Sequence, residues 1–173
     1  VVRGKSLIAS TKGVYGLAKG LNWTTRIGFN YNNNTNQSFA NKRTRIGRNA
    51  NGRLFLSDAE TSRFTAESFI NYNNQKFNGH NINITAGASY TDVTSFRKST
   101  LYNDFAFDDL GRDAIQLAAS VSDPKSFKSN NYIQSLLFRF VYSYKKKYTF
   151  TATGRNDGDS KFSQGDPWGF FPS

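Results

Sequence analysis

The sequence has no cysteine, a single histidine and no apolar run near the length of a membrane-crossing helix. The first absence excludes a disulfide framework and a thiolate metal site. The second leaves His80 without partners for a metal centre or a histidine-dependent nucleophile, so it is expected as a solvated turn residue beside Gly79. The third excludes spanning by helices, which takes about 20 apolar residues, but not by strands of roughly 9–11 alternating residues. No secretory leader opens the chain, and Val1-Val2-Arg3-Gly4 reads as an internal cut.

Catalytic and ligand-holding patterns are also missing. Gly52 and Gly111 are isolated loop glycines with no phosphate-cradling motif. Asp108, Asp109 and Asp113 flank Gly111-Arg112, but nothing fixes their separation as an acid/base pair requires. Asn156-Asp157-Gly158-Asp159-Ser160 lacks the further ligands and closing glutamate of a calcium loop, and fits turn chemistry at a strand end. The expectation is a protein with no catalytic residues, no metal and no cofactor.

What the chain does have is aromatic mass in a polar background. Aromatics make up 16% of its 173 residues, with 16 Phe and 9 Tyr, yet mean hydropathy is −0.61. One ordinary domain core would fit this length, but a soluble domain with so many aromatics carries more Leu, Ile and Val around them. A barrel wall in lipid needs no such core, because alternate residues meet lipid and the lumen side stays polar. The net charge of +11 raises the question of nucleic acid. The cations cluster instead in connections: Arg43, Arg45, Arg48 and Arg53 in a Gly/Asn-rich stretch, and Lys145-Lys146-Lys147 between two strand patterns. Neither cluster interleaves with stacking aromatics, so no nucleic-acid partner is expected.

The period-2 signal is clean. Leu21, Trp23, Thr25, Ile27, Phe29 and Tyr31 alternate with Asn22, Thr24, Arg26, Gly28, Asn30 and Asn32, which gives a strand one apolar and one polar face. The same alternation runs over Phe64–Tyr72, Ile82–Tyr90, Leu136–Tyr144 and Tyr148–Gly154, with a weaker strand from Ser6 to Leu17. Arg26, Glu67, Arg139 and Arg155 lie opposite the apolar faces. A sandwich would expose them to solvent; a barrel would turn them to its lumen. Tyr31, Tyr72, Tyr90, Tyr144 and Tyr148 sit at or near the strand limits on the apolar face, as the aromatic girdle of a membrane-spanning band would.

Connection lengths alternate too. Short links fall at 18–20, 76–79 and 145–147, and long ones at about 33–61, 91–130 and 156–167. Short periplasmic turns and long extracellular loops produce this rhythm in a bacterial barrel. The reading is all-β: a section of a large transmembrane antiparallel barrel, about six strands plus the start of a seventh at Trp168. An open six-stranded wall leaves two edges that lipid does not tolerate, so residues 1–173 are expected to be a partial barrel domain.

The last fifth of the chain carries a resemblance. Arg139, Tyr142, Tyr144, Lys147 and Tyr148 match an Arg-x-x-Tyr-x-Tyr-x-x-Lys-Tyr strand pair. Arg155, Asp157, Gly158, Ser160 and Phe162 match an Arg-x-Asp-Gly-Ser-Ser-x-Phe stretch, and Gly169, Phe170, Phe171, Pro172 and Ser173 a Gly-Phe-Phe-Pro-Ser segment. This resembles the SusC/RagA family of TonB-linked outer-membrane transporters of Bacteroidota. Asp159 departs from the pattern, which has a small hydroxyl residue there. The resemblance implies a barrel of about 22 strands closed by a plug. It also implies TonB-driven uptake of oligosaccharides or peptides at the cell outer membrane and a SusD-like lipoprotein over the outer face. No plug or TonB box is recognised in these residues. On that footing Arg26, Glu67, Arg139 and Arg155 face the lumen, the long loops help form the binding cavity, and outer-membrane lipid surrounds the wall. Two rival readings remain: a transport-inactive barrel of the same kind serving as scaffold, and a soluble basic β-domain binding glycan or nucleic acid.

Overall fold

The computed structural model describes residues 1–77, 79–108, 111–162 and 167–173. Its strands are β1 (Val2–Ala18), β2 (Leu21–Ala40), β3 (Arg53–Phe77), β4 (His80–Phe105), β5 (Ala118–Val121), β6 (Lys125–Tyr144), β7 (Tyr148–Asp159) and β8 (Trp168–Pro172). One short helix, α1 (Arg45–Asn49), lies between β2 and β3. The eight strands form one sheet in the order β1-β2-β3-β4-β6-β7-β8, with β5 added to β4. This is the all-β meander expected from the alternation, and Trp168 does open a further strand that pairs antiparallel with β7.

The chain divides into two compact units: Val1–Leu7, Tyr31–Ser62 and Thr94–Ser129 form the first, and Ile8–Asn30, Arg63–Val93 and Asn130–Ser173 the second. In the second unit the strands keep the predicted faces. Phe138 pairs with Gly154, Phe140 with Ala152, Tyr142 with Phe150 and Tyr144 with Tyr148, while Ser135 pairs with Asp157 and Leu137 with Arg155 on the alternate side. Among its described residues only Ser135 and Gly158 are buried. Large side chains of the apolar face, including Ile27, Phe29, Ile70, Leu136, Phe138 and Phe150, are exposed.

Its connections are tight. Gly20 has φ +77° and its carbonyl accepts from Asn73 N–H at 2.7 Å. A Cβ on Gly20 would collide with the Asn73 carbonyl, so both the backbone angle and the space demand glycine. At the β6–β7 hairpin Lys145 (φ +48°) and Lys146 (φ +56°) take the left-handed turn themselves, and Lys145 N–H bonds the Gly79 carbonyl at 2.6 Å.

The first unit corrects the expected loops. Most of 33–61 and 91–130 is strand: β2 continues to Ala40, β3 begins at Arg53, β4 runs to Phe105 and β6 starts at Lys125. The remaining long connections are 41–52, carrying α1, and 106–124, carrying β5. Stretches such as Asn33-Asn34-Thr35-Asn36-Gln37-Ser38 are polar on both faces, so they give no period-2 hydrophobic signal although their backbone is extended. Ladders of polar side chains replace it: Thr35 Oγ1 donates to Asp58 at 2.8 Å and Asn33 Nδ2 to Glu60 at 3.3 Å. This unit also holds the packed side chains, with Leu54 and Phe105 fully buried and Phe39 set edge-on to Phe105 at 5.3 Å.

The turn geometry is testable. Gly20→Ala is expected to cost on the order of 1–3 kcal/mol in urea unfolding in detergent micelles. Gly28→Ala, where a Cβ meets nothing within 4 Å, is expected to stay within about 0.5 kcal/mol.

Candidate functional site

The polar face of the second unit is built from alternate residues of β2, β3, β4, β6 and β7. Arg26 Nη1 meets Glu67 Oε2 at 2.8 Å, bridging β2 and β3. Arg155 Nε donates to Asp157 Oδ1 at 2.7 Å, and its Nη2 lies 3.4 Å from the Oγ of buried Ser135. A groove of about 360 Å³ joins Glu67 and Arg155, with Arg63, Ser89 and Thr91 along it. Three of the four polar-face candidates are thus engaged in two ion pairs: Arg26 with Glu67, and Arg155 with Asp157. Arg139 is exposed on the same face, opposite Thr153, and is not part of the groove. Arg63, which pattern reading did not single out, lines the groove because its odd position on β3 matches that of Glu67. Phe69 shares this polar face for a local reason: its ring occupies the space that a Cβ on Gly87 would need.

On the apolar face the tyrosines form two rows. Tyr142, Tyr144 and Tyr148 stand at the β6–β7 hairpin, where Lys145 and Lys147 lie over the Tyr144 and Tyr148 rings at 5.3 and 5.5 Å. Tyr72 stands towards the β3–β4 hairpin, at the same end of its strand. His80 departs from its expected place. It is the first residue of β4, partly buried, with Nδ1 2.6 Å from the Tyr142 hydroxyl and its ring 4.7 Å from that of Tyr144. It belongs to the aromatic row, not to a solvated turn. Ten residues along β4, Tyr90 stacks on Tyr132 at 6.4 Å and reaches Asp92 at 3.4 Å. Tyr31, on β2, falls in the first unit. Trp23 Nε1 donates to Ser68 Oγ at 2.8 Å near the hairpin end. At about 3.3 Å per residue, the roughly ten residues between the two rows span about 33 Å along the strand.

The motif residues come together because β7 and β8 pair. Phe170 packs over Gly154, and Trp168 over Gly158, so each glycine leaves room for a ring on the neighbouring strand. Gly169 pairs with Asp157, Phe171 with Arg155 and Pro172 with Gly154, and Ser173 exchanges both backbone bonds with Thr153 at 2.7 and 2.8 Å. Ser160 extends the ladder with its side chain: its N–H bonds the Tyr132 carbonyl at 3.0 Å, and its Oγ accepts from Tyr132 N–H at 2.8 Å. Asp159 accepts from Lys161 N–H at 2.9 Å, a turn bond that a serine hydroxyl also makes. The departure from the motif therefore keeps the turn. Phe162 is exposed.

The loop carboxylates do not gather. Asp108 accepts from Lys42 N–H at 2.9 Å, Asp113 lies in a 3₁₀ turn, and Asp109 falls outside the described residues. No group of three or more His, Cys, Asp or Glu positioned for a metal occurs among the described residues.

Comparison with known proteins agrees with the motif. The chain is 28% identical over 159 residues to TonB-dependent receptor P3 of Formosa agariphila, which covers 92% of this chain and 16% of that protein. It is 38% identical over 55 residues to TonB-dependent receptor SusC of Bacteroides thetaiotaomicron, covering 32% of this chain and 6% of that one. Its fold superposes on the RagAB peptide transporter with a TM-score of 0.80 at 18% identity, covering 99% of this chain and 19% of that chain. The chain is SusC/RagA-like. Its sheet is that of a section of a TonB-dependent receptor barrel. No family model matches it. The SusC/RagA-like chain spans about a sixth of the length of the Formosa receptor.

The polar-face ion pairs are open to solvent, so each is worth little to folding. Arg26→Gln is expected to change stability by less than about 1 kcal/mol in denaturant titration.

Proposed function

We propose that this chain is outer-membrane barrel wall in a TonB-dependent transporter that imports oligosaccharides or peptides under a SusD-like lipoprotein. The observation that carries the reading is the two-faced second unit: an apolar band about ten residues long, edged by Trp23, Tyr72, Tyr142, Tyr144 and Tyr148 at one end and Tyr90 and Tyr132 at the other. Its opposite face carries Arg26, Glu67, Arg63, Arg155 and Asp157. Apolar side chains that water would not tolerate in such number fit lipid, and paired charges fit a water-filled lumen or a plug. In this reading β1 and β8 meet further strands that close the barrel, and the plug and TonB box belong to the rest of the transporter. The 106–124 connection, with exposed Phe107, Ile115 and Val121, reaches substrate or the lipoprotein.

Two experiments test it. Ile84→Arg, mid-band on the apolar face, is expected to lower folding stability in lipid vesicles by about 2–4 kcal/mol, and Thr65→Arg on the polar face by far less; equal costs would refute the face assignment. Removing 106–124 from the whole transporter is expected to abolish substrate uptake or lipoprotein binding, and retention of both would refute the role of that connection.

A further inference from the structure

The first unit contains a site that the barrel-wall reading does not use. Between positions 41 and 53 the chain carries Lys42, Arg43, Arg45, Arg48 and Arg53 with no acidic residue. Helix α1 and the start of β3 bring Arg45 and Arg53 to one groove of about 780 Å³, shared with Asn49, Asn51, Asn103 and Ser120. Asp104 also lines this groove and keeps its negative charge; the Asn51 amide donates to its carboxylate at 2.5 Å and ties it to the wall, so the groove sets two guanidiniums against one carboxylate. Among the described residues neither Arg45 nor Arg53 is in an ion pair.

The groove is held in shape by its backbone. Asn51 (φ +50°), Gly52 (φ +88°) and Asp104 (φ +59°) all take the left-handed conformation. They are pinned by Gly52 N–H to the Gly47 carbonyl at 2.7 Å, Asp104 N–H to the Ala50 carbonyl at 2.9 Å and Phe105 N–H to the Asn51 carbonyl at 2.8 Å. Buried Leu54 and Phe105 pack next to this knot, and a Cβ on Gly47 would strike the backbone of Asn41. Left-handed non-glycine residues fixed this firmly collect where a surface must be preorganised. On β3 and β4 the groove residues Arg53 and Asn103 take the side of Thr61 and Ser95, whose hydroxyls meet at 3.5 Å, opposite the Asp58–Lys98 pair.

We propose that this groove binds a carboxylate- or sulfate-bearing oligosaccharide. Two guanidiniums supply bidentate, permanently charged donors for the anionic groups. The Asn49 and Asn103 amides and the Ser120 hydroxyl, each both donor and acceptor, match the ligand's hydroxyls. The inference rests on the import reading only in treating the oligosaccharide as cargo, since binding itself can be measured without transport.

The test is calorimetric titration of the whole barrel in detergent with four probes: tetragalacturonate, a sulfated galactose tetrasaccharide, maltotetraose and tetraglutamate. At least one acidic saccharide is expected to bind, maltotetraose at least tenfold more weakly, and Arg45→Gln/Arg53→Gln to weaken the acidic saccharide at least tenfold. Arg45→Gln alone, on the exposed first residue of α1, gives the same direction should the double variant fold poorly, and Arg45→Lys retains part of the affinity. No binding of either acidic saccharide, unchanged binding in the variants, or tetraglutamate binding as tightly as the saccharides would each overturn the proposal. Uptake by the same barrel separates the two readings: binding without uptake refutes import alone, and uptake of some compound without acidic-saccharide binding refutes this site alone.

Discussion

The lateral backbone ladder is what the rest of this structure depends on. The second unit buries only Ser135 and Gly158 among its described residues, so no interior of packed side chains holds its strands together. Cross-strand N–H to C=O bonds, such as those along the twelve paired positions of β6 and β7, do that instead. A ladder satisfies the backbone groups of the strands it pairs while leaving both faces free to take on their own chemistry. Here one face is apolar with tyrosine rows and the other carries ion pairs. Their difference follows from pleating alone, because neighbouring residues point to opposite sides.

The glycines show how the ladder accommodates bulk without a core. Gly154 and Gly158 open space on β7 for the rings of Phe170 and Trp168, and Gly87 does the same for Phe69 on the polar face. A ring laid over a glycine shields backbone and adds contact area that the small residue lacks. This explains why the Arg-x-Asp-Gly stretch and the Gly-Phe-Phe-Pro-Ser segment occur together: they are facing strands of one pair, and their small and large residues are complementary.

The first unit obeys a different logic. Stretches of its strands such as Asn33 to Ser38 are polar on both faces, and the order comes from a local knot of Gly47, Gly52, Leu54 and Phe105 beside α1. Thr44 caps that helix by accepting from Gly47 N–H at 3.1 Å. A packed, hydrogen-bonded platform of this kind holds Arg45 and Arg53 in one groove, where a flexible connection would leave them scattered.

By itself the sequence determined the strands of the second unit and their two faces, because a surface that is half apolar imprints its period of two on the residues. The terminal motif placed the chain beside SusC/RagA-like receptors for the same local reason. Only the tertiary structure decided where the strands end, since polar ribbons such as Asn33 to Ser38 carry no hydrophobic period and read as loop. Only it moved His80 from a turn into the aromatic row, by setting it beside Tyr142, a residue 62 positions away. The pairing of Arg26 with Glu67, the inclusion of Arg63 and the meeting of Arg45 with Asn103 likewise depend on register between distant strands, which no single segment encodes.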